Sequence, residues 1–171
     1  MNQTVYPFRL VGETDRGADS YQTGTLIYQF CSTKSGHEYE VHVECYVGHL
    51  YCLKFFDLTI SQSNGKFNQT TGTYEPRTIF YTIAGIAADV LKRDNQASFL
   101  FIGAADSRDS SGWSTRRYRV YCSFMRYLDV EKQFEVVCID RYSLCILANK
   151  QSKVDRASFI GSIINFIEQP I

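Results

Sequence analysis

The sequence predicts an α+β fold, a mostly antiparallel sheet that starts with an N-terminal meander and carries about three helices packed on one face. The first half of the 171 residues alternates apolar and polar side chains, whereas apolar residues later recur at helical spacing in three stretches. Strands in hairpins followed by helices are typical of this class. No internal repeat or linker divides the chain, so residues 1–171 are predicted to form a single domain.

The meander is predicted from two alternating segments and the hairpin that follows them. A short apolar run at residues 6–11 precedes strands at residues 25–33 and 38–47. The glycine of Val47-Gly48-His49-Leu50 stands first in an apparent two-residue loop, which is typical of a type II′ hairpin. Pairing of Val47 with Leu50 would place Lys54 on the core face, where its side chain either snorkels to the sheet edge or lines a cleft.

The remaining elements follow from capping and periodicity. Pro76 opens the first helix at a favoured first-turn position, and Lys92 and Arg93 close its last turn. A strand at residues 97–102 and a helix at about residues 115–128 come next. Two strands at residues 133–139 and 143–148 then precede a last helix that begins at Ser152.

Composition restricts the class of function. The 18 basic and 18 acidic residues balance, so the chain lacks the basic footprint of a general nucleic-acid coat protein. The N-terminus has neither a basic n-region nor an apolar h-region, and no apolar run approaches the length of a bilayer span. These features predict a cytoplasmic protein with no membrane partner.

The cysteines and histidines predict no metal site and no cofactor. Without an export signal, all six cysteines are expected to be reduced, small, buried apolar residues. His42, Cys45, His49 and Cys52 have a spacing that resembles a zinc set. However, residues three apart on a strand point to opposite faces, so these four side chains are not expected to converge.

The segment at residues 103–119 is the strongest candidate for binding chemistry. It reads as a strand end, a small polar loop and a helix start near Thr115, and free backbone N–H groups at a helix start attract anions. Arginine suits phosphate or carboxylate, and an indole can stack on a base or another ring. The candidate anion-binding residues are Trp113, Ser114, Thr115, Arg116, Arg117, Arg119 and Lys54.

A purely structural interpretation of the same segment stands beside this one. Thr115 would then be only a helix cap, the arginines a solvated helix face, and Asp106 and Asp109 their local counter-charges. No known phosphate-binding fingerprint is present.

The sequence from Thr115 to Arg119 reads T-R-R-Y-R and follows the strand-ending Gly103. In this it resembles small uncharacterised bacterial proteins that place a T-R-x-Y-R segment after such a glycine. The similarity covers about a third of the chain, at residues 51–57, 78–90, 99–103 and 115–121. It implies a bacterial accessory protein of the kind found in mobile elements or defence loci, with no implied activity.

Two functions compete at this point. The first is a non-catalytic binding or protein-interaction module, with a protein partner or a second copy of the chain. It is favoured by the lack of a catalytic motif and by the twelve tyrosines and twelve phenylalanines, since aromatic residues are enriched at interfaces. The alternative is a metal-independent nuclease, or another enzyme acting on a phosphate-bearing substrate such as nucleic acid, at the Thr115 helix start.

Overall fold

A computed structural model describes residues 4–15, 21–59, 75–105, 108–128 and 130–168. Within these ranges, seven strands form one sheet, with bounds as follows: β1 Phe8–Asp15, β2 Gln22–Cys31, β3 Glu38–Tyr46, β4 Leu50–Asp57, β5 Ser98–Ile102, β6 Phe134–Ile139 and β7 Leu144–Asn149. The spatial order is β1-β2-β3-β4-β5-β7-β6. All neighbours are antiparallel except β4 and β5. The predicted α+β class and its N-terminal meander are confirmed.

The predicted register of the β3–β4 hairpin is wrong by one residue. Tyr46 pairs with Leu50, so the loop has three residues, and both Gly48 (φ 78°) and His49 (φ 61°) adopt left-handed backbone conformations. Because side chains alternate along a strand, a shift of one residue exchanges the two faces of β4. Lys54 therefore lies opposite His42, and its Nζ is 2.7 Å from Glu44 Oε1 rather than in the core.

Among the described residues, three α-helices cover the sheet: α1 (Pro76–Arg93), α2 (Arg116–Tyr127) and α3 (Arg156–Glu168). The larger core joins one sheet face, including Val41 and Val43, to residues of α1 and α2. A smaller core joins the other face, including Ile146, to Ile163 of α3. None of the described helices is long and apolar enough to cross a membrane.

The position of α3 departs from the prediction that the helices share one face. All residues of β7 are buried, and so are four of the five residues of β5. These two strands are therefore covered on both faces of the sheet. A strand that is apolar on both sides needs cover on both sides. The helix α3 supplies that cover for Leu144 and Ile146, while α2 covers the alternate residues Cys145 and Leu147.

Candidate functional site: an arginine-lined groove

The start of α2 is capped by the protein itself. Thr115 is only 1% exposed, and its Oγ1 accepts a hydrogen bond from the backbone N of Tyr118 (3.3 Å) and donates one to the Gly103 carbonyl (2.6 Å). The backbone N–H of Arg116 donates to Asp109 Oδ1 at 2.9 Å. The carboxylate of Asp109 therefore lies at the helix N-terminus, where the helix dipole favours a negative charge.

A tight turn between β6 and β7 fastens this cap to the sheet. The backbone N–H of Ser114 donates to the Asp140 carbonyl (2.8 Å), and the Thr115 N–H donates to Ser143 Oγ (3.0 Å). The Tyr118 hydroxyl donates to Asp140 Oδ1 at 2.7 Å, and burial together with this hydrogen bond raises the pKa of Tyr118. Tyr118 is thus a neutral donor, and this set of bonds fixes the first turn of α2.

The seven sequence-predicted anion-binding residues do not converge on one point. Thr115 is buried in the cap, whereas the indole of Trp113 is 70% exposed. Lys54 lies on the sheet face opposite to α2, paired with Glu44. Arg116 and Arg119 are exposed on α2, where they line a shallow groove.

This groove lies between α2 and the first turns of α1. Side chains three and four residues apart share one face of a helix, and the residues that α2 contributes follow that spacing. Arg77, which the sequence analysis did not single out, adds a third guanidinium from α1. The lining residues are Pro76, Arg77, Phe80, Arg116, Arg119, Val120, Ser123, Phe124 and Tyr127.

Packed aromatic rings form the floor of the groove. Phe80 of α1 lies 5.1 Å from Phe124 of α2, measured between ring centroids, and 5.6 Å from Tyr121. The guanidinium carbon of Arg77 lies 5.6 Å from the ring centroid of Tyr127, within the range of a cation–π contact. Tyr127 remains 56% exposed, so a large aromatic surface faces solvent beside the arginines.

The charged side chains among the described lining residues of the groove have one sign. Its described lining includes three arginines and no carboxylate, and a guanidinium stays protonated at any physiological pH. The Arg119 side chain also donates to the Ser114 carbonyl, which orients it along the start of α2. Exposed aromatic rings beside arginine are the residue types that dominate the energetics of protein interfaces.

Sequence reasoning missed Arg77 because it belongs to a different helix from the arginine-rich segment. The available signal was local: Arg77 follows Pro76 in the first turn of α1 and precedes Phe80 by three residues, which puts both on neighbouring parts of one helix face. That pattern indicates a basic and aromatic face, but it does not indicate which helix packs beside it.

The four residues with the zinc-like spacing have separate surroundings. His42 Nε2 lies 2.6 Å from Glu40 Oε1, whereas His49 Nδ1 lies 2.8 Å from Asp94 Oδ2 at the end of α1. Cys45 and Cys52 belong to the two different cores. The four side chains are therefore dispersed.

Three other cysteines do converge, although each was expected to be only a small, buried apolar residue. Cys122, Cys138 and Cys145 place their sulfur atoms within 4.8 Å of one another, the one such group of potential metal ligands in the described ranges.

The fold and the groove together define an α+β protein with a basic, aromatic-floored surface cleft. Comparisons with protein-family models, with curated proteins and with solved structures found no match to this chain. The resemblance carried by the T-R-R-Y-R segment therefore stays a prediction.

Proposed function

We propose that this protein is a non-catalytic binding module whose groove binds an acidic, partly apolar segment of a partner protein. One observation carries the proposal. Arg77, Arg116 and Arg119 surround a floor that includes Phe80 and Phe124, and the described lining contributes no carboxylate to neutralise them.

A partner segment with both carboxylates and apolar side chains matches both parts of the groove. Guanidinium groups pair with carboxylates through two parallel hydrogen bonds where the geometry permits. Exposed ion pairs contribute about 0–1 kcal/mol each, so the arginines mainly provide selectivity and faster association. Affinity has to come from burial of the apolar floor, at about 25 cal/mol per Å² of apolar surface.

The composition of the groove favours binding over catalysis. No histidine, carboxylate or cysteine stands among its described lining residues, so it lacks the usual side chains that accept a proton from a nucleophile. Lys54, which the nuclease hypothesis places beside the arginines, lies instead on the opposite face of the sheet in an ion pair with Glu44. The zero net charge favours a protein partner over a polynucleotide.

Fluorescence anisotropy with defined peptides tests this proposal. The probes are labelled peptides in which glutamate alternates with leucine or phenylalanine, together with a matched lysine series and a uridine-rich single-stranded RNA. The variant is Arg77→Ala/Arg116→Ala/Arg119→Ala. Arg126→Ala is the matched control because Arg126 is an exposed arginine of α2 outside the groove lining.

The wild type and the control are expected to bind the acidic peptides preferentially. The triple variant should bind them at least about tenfold more weakly, which corresponds to about 1.4 kcal/mol. Equal binding by the triple variant and the control would rule the groove out. Tighter binding of the RNA than of any acidic peptide would instead point to a nucleic-acid ligand and overturn the proposal.

A further inference from the structure

The three converging cysteines come from three different elements. Cys122 belongs to α2, Cys138 to β6 and Cys145 to β7. The sulfur of Cys138 lies 3.3 Å from that of Cys122 and 3.4 Å from that of Cys145. We call this group the thiol cluster.

The fold brings these sulfur atoms together through two constraints. Cys138 and Cys145 are directly opposite each other in the antiparallel β6–β7 pair, so their side chains share one sheet face. Cys122 stands about two helical turns beyond the Thr115 cap, and the cap is fastened to the turn that connects these same strands. The start of α2 thereby directs Cys122 onto the two strand cysteines.

The three cysteines of the thiol cluster differ in solvent exposure. Cys145 is buried, Cys122 is half-buried and Cys138 is exposed. Cys138 lies on β6, the edge strand of the sheet. A small ion can therefore reach the cluster from the β6 edge, and the buried side holds the third sulfur in place.

We propose that the thiol cluster is a binding site for a thiophilic d10 metal ion, the class to which Zn²⁺ and Cu⁺ belong. Thiolates are the soft ligands that such ions prefer. Zinc bonded to sulfur at about 2.3 Å in tetrahedral geometry requires sulfur atoms about 3.8 Å apart. Two of the sulfur–sulfur separations, 3.3 Å and 3.4 Å, lie within about 0.5 Å of this value, and all three pairs lie within 4.8 Å.

Three protein ligands leave one tetrahedral position free. Because Cys138 is exposed, that position is open to water or to an exchangeable ligand on the solvent side.

Metal binding here is a proton exchange without oxidation. The three S–H bonds break, three metal–sulfur bonds form, and three protons pass to solvent for each ion bound. The count of released protons therefore reports how many thiols bind.

A titration of the reduced, chelator-treated protein with Cd²⁺ tests the site. The two readouts are the ultraviolet thiolate-to-metal charge-transfer absorption and the proton release in weak buffer. The test variant is Cys138→Ser, and Cys31→Ser is the matched control because both positions are exposed and Cys31 lies outside the cluster. Circular dichroism checks whether both variants keep the wild-type fold.

The wild type and Cys31→Ser are expected to bind one Cd²⁺ per chain and to release three protons for each ion. Cys138→Ser should release no more than two and bind at least about tenfold more weakly, because it loses one of the three metal–sulfur bonds and even the loss of a contact that only supports a ligand typically costs about 10–100-fold. Equal charge-transfer absorption in Cys138→Ser and the wild type would overturn the proposal. Release of fewer than three protons by the wild type would overturn it as well.

This inference does not depend on the proposed function of the groove. The triple arginine variant should bind Cd²⁺ as the wild type does, because none of its three positions belongs to the thiol cluster. Failure of the peptide experiment and failure of the metal experiment are therefore distinguishable.

Discussion

Gly103 lies so close to Tyr118 that a β-carbon at position 103 would stand 2.4 Å from the backbone nitrogen of Tyr118. The end of β5 thus passes directly beneath the first turn of α2. Any larger side chain would push the helix away from the strand, because the opposing atoms belong to the backbone rather than to a flexible side chain. The glycine that ends β5 therefore sets the position of both the groove and the thiol cluster.

Gly103→Ala is expected to destabilise the protein by about 3 kcal/mol, at the upper end of the usual cost of overpacking. The clash would also lengthen the bond from Thr115 Oγ1 to the Gly103 carbonyl. Urea unfolding followed by circular dichroism measures the effect. Gly112→Ala is the matched control, since nothing lies within 4 Å of a β-carbon there, and equal midpoints for the two variants would refute the close approach.

Asn149 ties the end of β7 to the connection between α1 and β5. Its fully buried side chain donates from Nδ2 to the carbonyls of Asn95 and Ala97, both at 3.0 Å, and accepts the Gln151 N–H at 2.9 Å. Asn149→Asp removes both donors and points a carboxylate at two carbonyl oxygens. We expect a loss of about 3 kcal/mol, the cost of burying polar groups without partners.

Thermal and urea unfolding of Asn149→Asp measure this loss, with Asn95→Asp as the control. The side chain at position 95 is exposed, and only its backbone carbonyl contacts Asn149, so the control should stay close to the wild type. Equal unfolding midpoints for Asn149→Asp and Asn95→Asp would contradict the hydrogen bonds assigned to the Asn149 side chain.

Glu75 is a buried carboxylate surrounded by hydroxyl donors. Ser32 Oγ lies 2.8 Å from both of its oxygens and Ser35 Oγ lies 2.6 Å from Oε1, while the Tyr6 hydroxyl also donates to it. Burial opposes the charged form, but the hydrogen bonds from Ser35, Tyr6 and Ser32 outweigh it and hold the pKa of Glu75 below its ordinary value. The folded state therefore favours ionised Glu75.

This lowered pKa predicts the sign of a pH effect. Stabilisation by Glu75 is fully present above the ordinary glutamate pKa of about 4.3 and is lost as the pH falls through the lower pKa of the folded state. Glu75→Gln has no charge to titrate. It should be less stable than the wild type by about 2 kcal/mol at neutral pH, and the difference should shrink below about pH 4.

Urea unfolding of the wild type and Glu75→Gln from neutral pH down to about pH 3 checks this prediction. Other carboxylates titrate in both proteins, so their contributions cancel in the difference between the two free energies of unfolding. A difference that stays constant over the whole range, or that grows as the pH falls, would show that Glu75 does not titrate as proposed.

Periodicity predicted much of the fold because a strand face is encoded within the strand itself. Alternation along β2 and β3 places Leu26, Tyr28, Val41 and Val43 on one face of the sheet, and in the core Leu26 pairs with Val43 and Tyr28 with Val41. Alternation alone could not predict which side chains of β4 point to the core. This depends on whether the β3–β4 loop holds two or three residues, and the backbone of His49 takes a left-handed conformation that its residue type does not require.

The candidate site was predictable only in part. The sequence directed attention to Arg116 and Arg119, because a run of basic residues at a helix start is visible locally. It gave no reason to separate them from Lys54 or to join them to Arg77. Those relationships depend on which faces of α1, α2 and the sheet meet, and this is decided by packing over the whole chain.

The sequence by itself determined the α+β class, the meander, the first helix that opens at Pro76 and the faces of β2 and β3. Each of these follows from residues that lie close together in the chain. Only the tertiary structure decided that α3 covers the second face, that Arg77 joins the α2 arginines, and that Cys122, Cys138 and Cys145 meet. Such long-range contacts arise because large side chains from distant segments must fill one core together, and no local pattern records that outcome.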